Sequence, residues 1–201
     1  MYENIIENSS VIGLGTGNTL HKIIDSMDKK ALKNKIFVSS SMDTLLFINS
    51  KDINASEIQA HSVIDIYLDG ADYYNDDEII KGMGGAIFYE KLLINMSNKN
   101  VIFVQVNKYR ENFKGLKVPL EIMPAAVKYV EKQLTDKKIE YNLRYTDKKK
   151  GPLITDNGNC IIDIIFNKEF LEECKNINGI LEHGYLKRKE HNIEIIEMTN
   201  N

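Results

Sequence analysis

The chain has 201 residues, of which 43% are hydrophobic and 27% are charged, and its formal net charge is −3. That length suffices for one core, or for one larger and one smaller core, and the slightly negative charge without a long basic run gives no electrostatic case for a nucleic acid partner. No basic region followed by an apolar stretch opens the chain, and no apolar run approaches the roughly 18–20 residues needed to cross a bilayer, so we expect a cytoplasmic protein with no membrane partner.

The first hundred residues alternate short apolar runs with helical patterns. Strands are predicted at Ser10–Leu14, Ile36–Ser39, Ile64–Leu68 and Val101–Val106, and helices at Thr19–Met27, Met42–Asn49 and Glu90–Met96. Strands separated by helices indicate an α/β fold, with a Rossmann-like, mostly parallel sheet and helices on both faces.

The pattern changes after "LKVPLEIMP". Predicted here are a helix at Ala125–Gln133, a loop at "DKKKG", a β-hairpin around Asp156-Asn157-Gly158, a helix at Lys168–Lys175 and a strand near Gly179–Glu182. Asn-Gly between alternating apolar runs is a strong hairpin signal. We therefore expect a smaller α+β, ferredoxin-like domain at 120–186, and a catalytic α/β domain at 1–119 and 187–201 whose last run, "NIEIIEM", returns to the first sheet.

The stretch "VIGLGTGNTL" places a glycine-rich turn between a predicted strand and a predicted helix. Backbone N–H groups and a helix N-terminus then converge on one point, which favours an anion. Asn18 stands where a dinucleotide-binding loop needs its third glycine, and the Gly-Lys-Ser/Thr ending of a P-loop is absent. Thr16, Asn18 and Thr19 add polar side chains that suit a small phosphate monoester, although a tight turn without a ligand is an alternative explanation of this loop taken alone.

A second polar cluster, "SSSMDT", follows the second predicted strand. It lies at the carboxyl end of that strand, where open α/β sheets bind ligands, although hydroxyl groups there often serve only as helix caps.

The third cluster, "IYLDGADYYNDDEIIKGMGGAIFYEKLL", contains acids, a lysine and glycines. Asp69 follows an apolar strand, and the Gly70-Ala71 turn is expected to bring Asp72 beside it, so that the two carboxylates differ in pKa. Lys81 opens a glycine loop that leads to Glu90. A base, a cation and free backbone N–H groups could move a proton next to a carbonyl and hold the enediolate. Each piece alone also has an ordinary structural explanation.

Together these motifs resemble the type A family of ribose-5-phosphate isomerases. The matching stretches are "GLGTGNT", "SSS", "DGAD", "KGMGGAIFYEK", "VPLEIMPAA", "GPLITDNGNCIIDI" and "GILEHGYL", which occur in the family's order over nearly the whole chain. The resemblance implies interconversion of ribose 5-phosphate and ribulose 5-phosphate, without cofactor or metal, by a homodimer or homotetramer.

The resemblance also implies roles for individual residues. Glu90 matches the general base, Asp69 the residue that assists ring opening, and Asp72 and Lys81 the groups that stabilise the enediolate. The implied substrate-binding residues are Thr16, Gly17, Asn18, Thr19, Ser40, Ser41, Gly82, Gly84, Gly85 and Lys108.

Several positions depart from the family pattern. The N-terminal stub before the first strand has no lysine, Met83 replaces a loop glycine, and Asn18 replaces a serine. These departures keep open a catalytically impaired sugar-phosphate sensor. A related deaminase or lactonase would need a catalytic histidine, but His183 is interpreted as structural and His21 and His61 show no partners in the sequence.

Overall fold

The computed structural model describes residues 2–147 and 149–198. The α-helices within these residues are α1 (Glu3–Ile6), α2 (Asn18–Ser26), α3 (Lys29–Leu32), α4 (Met42–Ser50), α5 (Ile87–Met96), α6 (Val127–Asp136) and α7 (Lys168–Glu173). Single 3-10 turns lie at Ile58–Ala60, Val106–Lys108, Pro124–Ala126, Cys174–Asn176 and Lys189–His191.

Fifteen strands occur in the same described residues. They are β1 (Val11–Leu14), β2 (Ile36–Ser39), β3 (Ala55–Ser56), β4 (Ile64–Gly70), β5 (Tyr73–Tyr74), β6 (Glu78–Ile80), β7 (Ser97–Gln105), β8 (Lys117–Ile122), β9 (Tyr141–Leu143), β10 (Tyr145–Thr146), β11 (Lys149–Pro152), β12 (Cys160–Ile165), β13 (Ile180–His183), β14 (Tyr185–Lys187) and β15 (Ile193–Met198).

The central sheet has six strands in the order β15-β7-β4-β1-β2-β3, and every neighbouring pair is parallel. The predicted parallel sheet and the return of the last strand are thus confirmed. From β1 the chain continues to β2 on one side and later to β4 on the other. A ligand crevice is expected at such a switch point, outside the carboxyl ends of the strands.

Helices cover both faces of this sheet because its strands alternate apolar side chains between them. Ile66 and Leu68 of β4 pack on the face that holds Ile24 of α2. Tyr67 packs on the opposite face with Leu93 of α5. Side chains of β4 at odd positions from Tyr67 onward therefore face α5, which decides where Asp69 points.

A second sheet is antiparallel, with the order β13-β8-β12-β9. Its core includes Leu120 of β8, Ile162 of β12, Val130 of α6 and Leu171 of α7. A three-stranded sheet of β14-β6-β5 adjoins it. Helices on an antiparallel sheet agree with the α+β part of the predicted fold class. The domain division at residues 119 and 187 stays a prediction, and its first boundary falls inside β8.

Three local predictions need correction. The sequence around "DKKKG" does not form only a loop, because β11 pairs with β10; Lys148 lies outside the described residues. The hairpin around Asp156 is reduced to one bridge between Ile154 and Cys160. Helix α5 begins at Ile87, three residues before the predicted start, so that Glu90 lies in its first turn.

Strand β8 was not predicted from the sequence, because it contains Pro119 and proline is disfavoured in the interior of a sheet.

In the described part of the chain, no helix has both the length and the apolar character that a membrane span requires.

Candidate active site

A cleft of about 160 Å³ lies at the carboxyl ends of β1 and β4, beside the first turns of α2 and α5. It is lined by Thr16, Gly17, Asn18, Thr19, Leu20, Asp69, Gly70, Ala71, Asp72, Lys81, Gly82, Gly84, Glu90 and Lys108. The structure thus brings residues of the first and third polar clusters of the sequence together at the expected switch point.

Lys81 bridges two carboxylates at the buried end of the cleft. Its Nζ lies 2.5 Å from Asp69 Oδ2 and also donates to Glu90 Oε2. The three residues are only 2–3% exposed. Burial opposes the charge on Lys81, but the two carboxylates outweigh burial and raise its pKa above the ordinary value. Lys81 is therefore a fixed cation at neutral pH.

The carboxylate that shares Lys81 with Asp69 is that of Glu90. Burial raises the pKa of Glu90 to about 7; the Lys81 cation opposes this shift, and the nearby Asp69 charge adds to it. A base with a pKa near the working pH transfers protons most effectively in both directions. Glu90 therefore has the protonation behaviour that a proton shuttle needs.

Tyr67 supports Asp69 from the same face of β4, although it belongs to none of the residues predicted from the sequence to form the site. Its hydroxyl donates to Asp69 Oδ2 at 2.6 Å, and the Gly70 N–H donates to Oδ1 at 2.7 Å. Burial, with the Asp69 charge, raises the pKa of Tyr67, so the phenol stays a neutral donor. The sequence could have indicated this contact, because Tyr67 lies two residues before Asp69 and residues two apart in a strand share a face.

The glycines of β1 and its following turn make room for these two side chains. A Cβ at Gly13 would lie 2.9 Å from Tyr67 Cδ2, and a Cβ at Gly15 would lie 1.8 Å from Asp69 Cγ. Only Gly17, with a φ of 123°, serves the predicted turn into α2 through its backbone conformation. Two glycines of "GLGTG" therefore admit a side chain of β4 rather than a phosphate.

The loop after Lys81 is held from both sides. Met83 N–H donates to Asp72 Oδ2 at 3.0 Å, and Arg144 Nη1 donates to the Met83 carbonyl at 3.0 Å. Arg144 itself forms an ion pair with Asp163. The expectation that the loop N–H groups are free is wrong for Met83 and for Gly85, whose N–H donates to the Gly82 carbonyl at 3.1 Å.

Another part of the cleft lining is suited to an anion. Helix α2 begins at Asn18, and its N-cap residue, Gly17, has no side chain that could satisfy the first N–H groups. Lys108 lies at the same cleft, where its Nζ donates to the Ala71 carbonyl at 2.7 Å. A helix N-terminus beside an ammonium group attracts a phosphate.

Three predicted binding residues lie outside the cleft lining. Ser40 is fully buried, and its hydroxyl lies 3.1 Å from the Thr16 hydroxyl, so it contacts a cleft residue from behind. Ser41 caps α4 by accepting the Thr44 N–H. Gly85 is buried at the loop end beside Ile161. Their contact with substrate stays a prediction.

The histidines are placed as structural residues, with one correction. His183 is buried, and burial with the nearby Lys91 lowers its pKa to about 3. His21 and His61 do have partners: His21 stacks on Phe47 with ring centroids 4.0 Å apart, and His61 Nε2 lies 2.8 Å from the Ser56 hydroxyl.

Comparison with known proteins is consistent with this geometry. Residues 36–198 match the family model described as Ribose 5-phosphate isomerase A (phosphoriboisomerase A). The chain is 34% identical to Ribose-5-phosphate isomerase A of Prochlorococcus marinus (strain NATL2A) over 191 residues, which are 89% of this chain and 81% of that protein.

Two solved structures share the fold. A D-ribose-5-phosphate isomerase in complex with phospho-erythronic acid superposes with a TM-score of 0.88 at 29% identity, over 98% of this chain and 90% of that one. A ribose 5-phosphate isomerase from Plasmodium falciparum superposes with a TM-score of 0.86 at 28% identity, over 98% of this chain and 92% of that one.

Proposed function

The chain belongs to the ribose 5-phosphate isomerase A family, and from that premise we propose how its cleft interconverts ribose 5-phosphate and ribulose 5-phosphate. The observation that carries the proposal is the buried arrangement of Glu90, Lys81 and Asp69 in the same cleft as the N-terminus of α2. An aldose-ketose isomerisation needs a base at one end of the sugar and an anion site at the other.

Glu90 is the proposed base. Its carboxylate removes the proton from C2 of the open-chain aldose, and the electron pair forms the C1–C2 double bond of an enediolate. The same carboxyl group returns the proton to C1, while one proton passes from O2 to O1, and the product is the ketose. One carboxyl group can serve both directions because its pKa, about 7, is close to neutral pH.

Lys81 and Asp72 are the proposed stabilisers of the enediolate. The Lys81 ammonium is already desolvated and directed by two carboxylates, so it needs little reorganisation when negative charge develops on the substrate oxygens. Asp72 holds the Gly82–Gly85 loop through Met83 and is placed to accept a sugar hydroxyl proton. Lys81 is therefore expected to stabilise the enediolate more strongly than the bound substrate, because negative charge develops on the oxygens as the enediolate forms.

Asp69 is the proposed residue for opening the furanose ring. Ring opening moves a proton from the anomeric hydroxyl to the ring oxygen, and a carboxylate beside the Lys81 cation can accept and return that proton. The phosphate is proposed to bind at Gly17, Asn18 and Thr19 with Lys108, since these groups form the anion-attracting end of the cleft.

The substitution Glu90→Gln tests the base assignment. The amide keeps the size of the side chain but cannot take a proton, so we expect kcat to fall by about 10³-fold or more. Phospho-erythronic acid is the binding probe, because its carboxylate is planar and negatively charged like the enediolate. Its Kd should change little. Near-wild-type turnover in a coupled assay for ribulose 5-phosphate would refute the assignment.

The sensor alternative is not favoured. A protein that only binds a sugar phosphate has no use for a carboxyl group with a raised pKa beside a buried cation, since both are costly to bury. The deaminase and lactonase alternatives would place a histidine at the cleft, but none of the residues that line it is a histidine.

We further propose that the enzyme is a homodimer or homotetramer. Met42 and Leu46 lie four residues apart on α4, hence on one helix face, and are 55% and 62% exposed. Apolar residues grouped in this way favour an interface. Sedimentation velocity of the wild-type chain and of Leu46→Lys tests this. A monomeric wild type would refute it.

A cytoplasmic location also remains our proposal. Cys160 and Cys174 are both unpaired and buried, which is compatible with a reducing compartment. Fractionation of cells that express the chain tests this proposal, and recovery outside the cytoplasm would refute it.

A further inference from the structure

Two family motifs, "VPLEIMPAA" and "TDNGN", have no part in the mechanism so far, and they meet at Glu121. This residue lies in β8 and is completely buried. Its neighbours Leu120 and Ile122 face the core of the antiparallel sheet. Because successive side chains of a strand point to opposite faces, Glu121 points away from that core.

The Glu121 carboxylate is surrounded by neutral donors. Its Oε1 accepts hydrogen bonds from the Thr155 hydroxyl at 3.0 Å, the Asn157 amide at 3.1 Å and the Asn159 amide at 2.9 Å. Its Oε2 accepts the backbone N–H of Phe88 at 3.0 Å. Hydrogen bonds of this number offset the cost of burying a carboxylate and restrict it to one orientation.

Phe88 is the second residue of α5 and precedes Glu90 by two positions. The first N–H groups of a helix have no partner inside the helix, and the N-cap residue of α5 is Ala86, whose methyl group cannot accept a hydrogen bond. Glu121 therefore acts as the cap of α5, and its negative charge interacts favourably with the helix dipole. The cap comes from a strand 33 positions away in the chain.

The turn that holds Glu121 also contacts the N-terminus of helix α4. Asp156 Oδ2 accepts the N–H of Met42, the first residue of α4, at 2.8 Å. The Thr155–Asn159 turn is thus connected to two helix N-termini, directly to α4 and through Glu121 to α5.

We propose that Glu121 is a positioning residue for the isomerisation: with the Thr155–Asn159 turn it fixes the first turn of α5, and thereby the contact between Glu90 and Lys81. The inference rests on the proposed role of Glu90, which the Glu90→Gln variant tests separately. If Glu90→Gln is inactive and the Glu121 variants behave as wild type, only the present inference fails.

Glu121→Gln is the principal test. Its amide nitrogen cannot accept, so at least one of the four donors loses its partner and the first turn of α5 loosens. We expect kcat to fall about 10–100-fold, as small misplacements of a catalytic group do. KM should stay within about threefold of wild type, because the anion end of the cleft is not contacted by Glu121.

The pH profile separates positioning from a loss of folded protein. A looser Glu90–Lys81 contact weakens the cation's effect on Glu90, so the acid limb of kcat/KM should move to higher pH by about half a unit or more. The control is Val130→Ala, which creates a cavity in the core of the antiparallel sheet, on the face of that sheet away from Glu121. It should lower stability and active fraction without moving the limb.

Asn159→Ala keeps the inference testable if Glu121→Gln does not fold, since it removes one donor and leaves the carboxylate in place. Asn159→Ala should lower kcat and move the acid limb of kcat/KM to higher pH, each by a smaller amount than Glu121→Gln. The proposal is overturned if the folded Glu121 variant keeps the wild-type kcat and pH profile, or if its activity follows the folded fraction as in Val130→Ala. If only Asn159→Ala folds, a wild-type profile in that variant overturns it.

Discussion

A methyl group on Gly15 would lie 1.8 Å from the carboxyl carbon of Asp69, so the glycine after β1 and the carboxylate at the end of β4 occupy adjoining space. Gly15 directly follows β1, Asp69 lies in the neighbouring parallel strand β4, and the Gly15 N–H donates to the carbonyl of Leu68 at 2.9 Å. The glycine-rich turn at the start of the chain is thus part of the wall that holds the buried acid in place.

Gly15→Ala should therefore damage the site through Asp69. The new methyl group must displace the carboxylate from Lys81, and we expect a loss of about 1–3 kcal/mol in the free energy of unfolding and about a 100-fold loss in kcat/KM. Urea unfolding and steady-state kinetics measure the two effects. Gly70→Ala is the control for stability, since a Cβ there lies at an ordinary 3.7 Å from the Phe103 carbonyl. Equal stability losses in both variants would contradict the packing argument.

The buried Lys81 should affect the ionisation of Glu90, the stability of the fold and the turnover rate. In Lys81→Met the carboxylates of Asp69 and Glu90 lose their shared cation, so the pKa of Glu90 should rise further and kcat should fall by about 10²–10³-fold. Stability should fall by about 3–5 kcal/mol because buried charge is left uncompensated.

Adding Asp69→Asn to Lys81→Met separates these effects. The double variant should regain part of the lost stability, since one uncompensated charge is removed, while kcat stays low. A double variant that is less stable than Lys81→Met would show that the lysine contributes by packing rather than by charge.

The wild-type enzyme should lose activity in acid. Glu90 must be ionised to take a proton, and its pKa is raised to about 7, so kcat/KM should fall about tenfold for each pH unit below that value. The substrate phosphate also titrates, with a second pKa of about 6, so the pH dependence of phospho-erythronic acid binding serves as the control. An acid limb near the ordinary pKa of a glutamate would contradict the buried-base assignment.

His183 should make the fold sensitive to acid. Burial and Lys91 lower its pKa to about 3, so the native state keeps it neutral while the unfolded chain takes up a proton below its ordinary value of 6.5. The unfolded state then binds more protons between these values, and stability falls as the pH falls from 6.5 towards 3, by up to about 1.4 kcal/mol per unit.

Denaturant unfolding at several pH values measures this slope. His183→Asn removes the titrating ring and should flatten the slope in that window, although it lowers stability at pH 7. An unchanged slope in His183→Asn would assign the acid sensitivity to other groups.

The sequence predicted the central sheet because its strands are local apolar runs separated by amphipathic helices. It failed at β8, whose partner strands β12 and β13 are far away in the chain, and around Asp156, where β12 pairs with β8 and β9 instead of forming a hairpin. Pro119 opposes a strand locally, yet β8 is paired on both sides. The cleft residues Asp69, Lys81 and Glu90 were identified by residue type and spacing. Tyr67 and Glu121, which lie behind the cleft lining, were not, because their contacts depend on which strand face points at α5.

The sequence by itself determined the alternation of strands and helices, the acids and lysine of the third polar cluster, and the turn before α2, because periodicity and turn chemistry are properties of neighbouring residues. Only the tertiary structure decided that Lys81 joins Asp69 to Glu90, that Gly15 makes room for Asp69, and that Glu121 caps α5. Those relationships depend on strand register and burial, which bring residues together from distant parts of the chain.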